Sequence, residues 1–398
     1  MFRFFLIFLA VGLAFLTKHF DVHVLKEIAQ VTTTLFMNLL KLVGIPMIFL
    51  SVVSTFSSFS KPRDAKRLIG STLFYTLLTT FVAAAVGLAI YLIISPSRGV
   101  ELAGSGGVTD TESWSYSSHL ISVFPDNFVK IFLDNNIMGC ITASFLLGVG
   151  CLFIEQDKRK CLNTFFSALF DVLLHVAGLI AYLMPIAVWG FVTTFLYTPQ
   201  SANFSHGLTK YILCVLLSNA VQAFIVLPTF MKLNGIPVLP TFKSAIPALI
   251  TAFFSRSSVV ALPVAVKCVN EKLGESKKIT SFVLPLCASI NMNACASFIL
   301  ITVLFVCEVN AHVFSAAELL TWIVLSVIAA VGNAGVPMGC YFVVMSYLVF
   351  MKVPLHVMGL ILPIYTLIDM FETALNVWSD ICVTRMVGKK CNGHDMAE

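Results

Sequence analysis

Residues 319–351 read LLTWIVLSVIAAVGNAGVPMGCYFVVMSYLVFM, 33 residues without a charged side chain. Wound as one α-helix at 1.5 Å per residue the stretch would be about 50 Å long, whereas a hydrocarbon core about 30 Å thick takes about 20 residues. It is too long for one crossing and too short for two. Its middle is Gly332-Asn333-Ala334-Gly335-Val336-Pro337, where glycine weakens a helix by its backbone entropy and proline removes an N–H donor. Two half-length helices meeting at this Gly/Pro tip make a re-entrant hairpin. Residues 245–266 have the same layout, with two short apolar runs flanking Ser255-Arg256-Ser257-Ser258. Irregular backbone at membrane depth survives only where protein or a wet cavity covers it. Paired interrupted segments of this kind point to a solute-binding site.

The rest of the chain agrees. Of 398 residues, 58% are hydrophobic and 11% charged, against roughly a quarter charged in a soluble domain, which excludes a soluble enzyme. Lys and Arg number 25 against 20 Asp and Glu, without the basic stripe that nucleic acid would need. Eleven cysteines lie singly with no CxxC pair; they read as small core residues, with neither a disulfide framework nor a zinc site expected. Apolar runs at 4–18, 31–59, 68–95, 128–154, 162–197 and 208–231 each suffice for a crossing. No small-residue cleavage pattern follows the first run, so it is kept as a span. Residues 279–307 form an apolar helix interrupted by Asn291-Met292-Asn293, and 353–388 form the last helix. The fold expected is therefore all-α and polytopic, with eight transmembrane helices and two re-entrant hairpins. With both termini cytoplasmic, 17 of the 25 basic residues fall inside, Lys158, Arg159 and Lys160 among them, and 5 outside, as the positive-inside rule requires. The loop 96–127 then lies outside.

The last helix carries Asp369, Glu372, Thr373, Asn376 and Asp380. At about 100° per residue these fall within about 100° of one another, on one stripe. An ionisable group at the bilayer centre costs on the order of 3 kcal/mol, so three carboxylates and Arg256 mark a pathway. The plain alternative is a buried network in which the acids pair with Arg256 or Lys41. Asn291, Asn293, Thr79 and Thr80 add oxygen ligands on other helices, a donor set that suits a hard cation such as sodium. Asp171 and His175, four apart on an apolar helix, read as a local packing pair, and His356 as structural.

Several of these segments, in order, resemble the sodium:dicarboxylate symporter family: Leu40-Lys41 and Pro46, Leu77-Leu78-Thr79-Thr80, Asn136-Ile137, Met184-Pro185-Ile186, Leu262-Pro263, Asn291-Met292-Asn293, Gly335-Val336-Pro337, and Asp369 to Asp380. The resemblance implies a homotrimeric elevator-type transporter of the plasma (inner) membrane. Helices one, two, four and five (1–67 and 128–200) would form a scaffold. Helix three (68–95) and residues 201–390 would form a transport domain whose external hairpin gates the site, with 391–398 a cytoplasmic tail. By residue, it implies substrate binding by Arg256, Ser257, Ser258, Val336, Gly339, Asp369, Glu372, Thr373 and Asn376. Sodium would be held by Thr79, Thr80, Asn291, Asn293, Asn376 and Asp380. No resident cofactor is implied; sodium, or a proton, is co-transported.

The departures bear on cargo. Glu372 stands where acidic-substrate members have an arginine. Asp369, Glu372 and Arg256 sum to −1, whereas an arginine at 372 would make the sum +1, so a neutral, or secondarily a cationic, amino acid is expected. Asn293 replaces a family aspartate, Thr76 a tyrosine and Tyr365 a common aspartate, which predicts fewer coupled sodium ions or proton coupling through Glu372. Met338, Cys340, Val259 and Val260 replace small or polar residues at the hairpin tips. The alternatives are a proton-coupled symporter of dicarboxylates or acidic amino acids, and an ion or anion channel on the same scaffold. An intramembrane aspartyl protease is disfavoured because Asp369 and Asp380 lie on one helix instead of facing each other from two.

Overall fold

The computed structural model describes residues 2–20, 23–57, 65–100, 124–134, 136–197, 204–333 and 338–395. The first three helices are α1 (Phe2–Phe20), α2 (His23–Ser57) and α3 (Ala65–Ile94). The expected fourth span is shorter than 128–154. Asp134 and Asn136 interrupt its start, and α4 (Ile137–Gly150) begins at Asn136, whose side chain accepts from Gly139 N. The expected unbroken 162–197 run divides into α5 (Gln156–Tyr182) and α6 (Met184–Tyr197). Pro185, lacking an N–H, occupies the first turn of α6, where that donor has no helical partner to lose.

The next span joins α7 (Phe204–Val221) to α8 (Leu227–Leu233) through a π-helical turn, Gln222–Val226. Both hairpins form as expected. The first is α9 (Val238–Ser255) and α10 (Ser258–Lys267), its opening arm beginning seven residues before the anticipated 245. The second is α13 (Ala316–Asn333) and α14 (Gly339–Phe350), and its tip 334–337, with Val336, lies outside the described residues. Between the hairpins, α11 (Lys277–Ile290) and α12 (Asn293–Val309) break at Asn291-Met292; α15 (His356–Asp395) closes the chain.

Among the described residues, eight helical stretches are long and apolar enough to cross a membrane. Two of them, Val238–Ser255 and Ala316–Asn333, are hairpin arms, while the first and fourth spans are shorter apolar helices. Hydropathy alone therefore reaches eight by a different set.

Helix α2 packs on α4, α5 and α6, and α1 on α6. The other elements gather around α12, which touches α3, α7, α13, α14 and α15. The two groups meet where α14 lies on α2 and α15 on α6. The apolar window of Lys277–Val309 is 100% buried and that of Gln156–Ile180 only 6%. Helix α12 is thus the axis of the molecule, and α5 presents its apolar surface outward.

Candidate functional site

Each hairpin turns through a left-handed residue. Arg256 (φ 52°) ends α9 and Met338 (φ 59°) precedes α14. Side chains other than glycine rarely adopt this conformation, and where they do the surrounding structure enforces it. Ser257 then caps α10 by accepting from Val260 N at 3.4 Å. Gly339 is required by close approach, since a Cβ there would run into the side chain of Asn333.

These turns aim two helix N-termini at one place. Ser258, the first residue of α10, and Cys340, the second of α14, line a cavity of about 20 Å³ together with Arg256. Free N–H groups give each helix start a partial positive charge, so this wall favours an anion. Asp369, Glu372, Thr373 and Asn376 of α15 line the same cavity, and all four are buried. Two formal negative charges thus stand opposite one guanidinium and two positive helix ends.

The acids are sparsely satisfied. The Tyr365 hydroxyl donates to Asp369 Oδ1 at 3.4 Å, while Oδ2 has no hydrogen-bond partner. Glu372 is 1% exposed and neither of its oxygens has a partner of good geometry; the Cys340 thiol and Tyr365 hydroxyl lie beside it. Thr373 donates to the Asp369 carbonyl at 2.7 Å, leaving its oxygen lone pairs free to accept. A buried unpaired carboxylate is costly, and a cationic group entering the cavity relieves the cost.

A second cluster surrounds the break between α11 and α12. Asn291 donates to Asp380 Oδ1 and to Ser379 Oγ, each at 2.9 Å. Asn293 also donates to Ser379 and accepts from Thr80 Oγ1 at 2.7 Å, while Thr79 Oγ1 reaches Asn291 Oδ1 at 3.5 Å. All six residues are buried, and Asp380 supplies the cluster's one carboxylate. The four orphan carbonyls at a helix C-terminus, here that of α11, add to this oxygen-rich set, which fits a hard monovalent or divalent cation.

The structure thus brings five of the six expected cation ligands together. It turns the sixth, Asn376, another way: its Oδ1 accepts from Ala294 N at 3.0 Å and its Nδ2 faces Met292 and Cys295 sulfurs, each at 3.4 Å. Lys41 is not at the acids; it lines a cleft of about 730 Å³ with Lys352 and His356. His175 Nδ1 meets the Asp171 backbone carbonyl at 2.9 Å, so the expected side-chain pair is instead a backbone contact on an exposed face.

Several site residues carried no sequence signal. Ser379 joins Asn291 to Asn293, yet it is merely the residue before Asp380. Gln222, in the π-helical turn, donates to the Thr79 carbonyl at 3.2 Å. Cys295 and Cys340 are buried core residues as expected, and Cys340 stands out in the sequence only as a substitution at a hairpin tip; their meeting had no sequence signal. Their thiols and a Glu372 oxygen lie within 4.8 Å of one another, and Asn333 Nδ2 sits 3.4 Å and 3.2 Å from the two sulfurs.

Comparison with known proteins identifies the family. Residues 4–390 match the sodium:dicarboxylate symporter family. The rabbit (Oryctolagus cuniculus) neutral amino acid transporter B(0) is 26% identical over 386 residues, covering 87% of this chain and 70% of its own. A Haemophilus influenzae protein named an uncharacterized symporter is 26% identical over 362 residues, 86% of this chain and 81% of its own. A Caenorhabditis elegans protein described as a candidate sodium-dependent excitatory amino acid transporter, glt-4, is 24% identical over 417 residues, 90% of this chain and 82% of its own. The chain belongs to the sodium:dicarboxylate symporter family: it is a multi-pass membrane protein and a sodium-coupled symporter of the dicarboxylate and amino acid class, not an enzyme.

Proposed function

We propose that this symporter carries a neutral amino acid inward across the plasma (inner) membrane together with sodium. The observation that carries the reading is the two-sided cavity. Asp369 and Glu372 face Arg256 and the N-termini of α10 and α14 across it, which suits a zwitterion, ammonium to the acids and carboxylate to the positive wall. A second carboxylate on the cargo would meet Glu372 and be repelled. The relatives named as neutral amino acid transporters support the same reading.

Sodium binds in the cluster of Thr79, Thr80, Asn291, Asn293 and Asp380, with Ser379 added and Asn376 joining on closure. One monovalent cation moving down 100 mV supplies about 2.3 kcal/mol, and a tenfold concentration gradient about 1.4 kcal/mol. Their sum supports roughly few-hundred-fold accumulation of a zwitterion. A proton acting at Glu372 is the second reading of the driving ion, favoured by the two unpartnered oxygens there.

A cavity of about 20 Å³ holds little more than one water, so cargo enters by displacement of the second hairpin, which serves as the external gate. Helices α1, α2 and α4–α6 act as the scaffold of a homotrimer, and the remainder slides as the transport domain. Exposed Asp171 and His175 on outward-facing α5 support the trimer, because a carboxylate turned to lipid is costly and a neighbouring copy would cover it. Labelled amino acid uptake into liposomes under imposed sodium, proton and potassium gradients tests the whole reading. Sodium-driven accumulation of neutral amino acids is expected; strong aspartate or succinate accumulation instead would overturn the charge assignment.

A further inference from the structure

We propose that Cys295, Cys340 and Glu372 form a binding site for a soft divalent cation of the zinc class, which clasps the second hairpin to α12 and α15. One potential ligand atom from each residue lies within 4.8 Å of the others, and all three residues are buried. Bonds of about 2.3 Å to sulfur and about 2.0 Å to oxygen around a tetrahedral ion put ligands about 3.5–3.8 Å apart, so small rotations of the three side chains suffice. Both Glu372 oxygens lack a well-formed partner. A carboxylate is therefore aimed into the group with only the Cys340 thiol and the Tyr365 hydroxyl beside it, neither in good hydrogen-bond geometry.

Chemistry selects the ion. Two thiolates with one carboxylate suit Zn²⁺ or Cd²⁺ and do not suit sodium, which takes oxygen ligands. Binding releases the two thiol protons to solvent; the three ligand charges exceed the ion's by one, and with Asp369 and Arg256 on the same wall the summed formal charge of the cavity stays at −1, as it was before binding. The Asn333 amide, whose Oδ1 has no partner, stands against both sulfurs and can fill the fourth position by presenting its oxygen. The three ligands come from three elements: Cys340 from the moving hairpin, Cys295 from the axial helix and Glu372 from α15. An ion joining them holds the hairpin down. The site itself stands on side-chain placement; only its competition with cargo rests on Glu372 as an ammonium partner.

The test is titration of the purified full chain with Cd²⁺, followed by the ultraviolet thiolate-to-cadmium band. Equimolar binding is expected in the wild type and in Cys161→Ser, which removes an exposed cysteine remote from the cavity. The band is expected to vanish in Cys295→Ser/Cys340→Ser, and affinity to fall about tenfold or more in Glu372→Gln. If the double variant does not fold, Cys295→Ala and Cys340→Ala are titrated singly, each expected to lose the equimolar band. In liposomes, Zn²⁺ is expected to slow uptake, a chelator to restore it, and amino acid to raise the Zn²⁺ concentration needed. An absent band, or one undiminished when both cysteines are replaced, overturns the site while leaving the transport reading intact. Intact cadmium binding without any uptake overturns transport and not the site.

Discussion

Asn291 Nδ2 donates to Asp380 Oδ1 across 2.9 Å, joining the break between α11 and α12 to the closing helix in the buried interior. The bond places the one carboxylate of the oxygen cluster beside backbone that has already left its helix. Substituting Asp380→Asn keeps volume and an acceptor but removes the charge. If sodium and substrate raise each other's affinity by one common factor, as linkage demands, both half-saturating concentrations are expected to rise together, by about tenfold or more. Uptake at graded sodium checks it; an unaltered sodium dependence would remove Asp380 from the ion's ligand set.

Replacing Glu372→Arg moves the summed charge of the cavity side chains from −1 to +1. Neutral amino acid uptake is expected to collapse and aspartate uptake to appear or grow, read in a competition panel with the variant's elution profile as a control for folding. Retained preference for neutral cargo would show that position 372 does not select by charge.

The hairpin crossing at Gly339 leaves no room for a Cβ beside Asn333. Gly339→Ala is expected to destabilise by about 1–3 kcal/mol, the usual cost of overpacking, and to slow uptake. Asn333→Ala in the same chain is expected to recover part of the melting temperature. A melting temperature unchanged in the single variant would mean that the two arms do not need this proximity.

At the other end of α15, Arg385 Nη1 donates to Glu275 Oε1 at 2.5 Å and to the Leu273 carbonyl at 3.1 Å. Burial pushes the Glu275 carboxyl above its ordinary 4.5, and the Arg385 guanidinium opposes that rise. The folded chain therefore holds this proton more tightly than the unfolded chain, so this carboxyl's contribution declines as pH rises through the interval between the two values. Arg385→Met removes the opposing attraction, and a loss of about 1–3 kcal/mol is expected, larger near pH 8 than near pH 5. Melting curves across that range decide it; a pH-independent difference would show that the pair does not couple to folding.

Much of the fold was legible in the residues. The charge-free length of 319–351 with its Gly/Pro centre determined a hairpin, because no continuous helix of that length fits a bilayer and tolerates such a middle. The stripe from Asp369 to Asp380 followed from helical winding alone, and all of it is buried. The helix interruptions at Asp134–Asn136 and Leu183 were not legible as span boundaries, since the flanking hydropathy runs straight through them.

The sequence by itself determined the breaks in 245–266, 279–307 and 319–351 and which side chains of the last helix sit on a common face, since both depend on neighbours within a few turns. Only the tertiary structure decided how that face is shared. It gave Asp380 to the oxygen cluster and Glu372 to the cavity, turned Asn376 toward Ala294, and drew Cys295 and Cys340 together from positions 45 residues apart. Contacts between segments so distant depend on how helices cross, and no local pattern encodes a crossing.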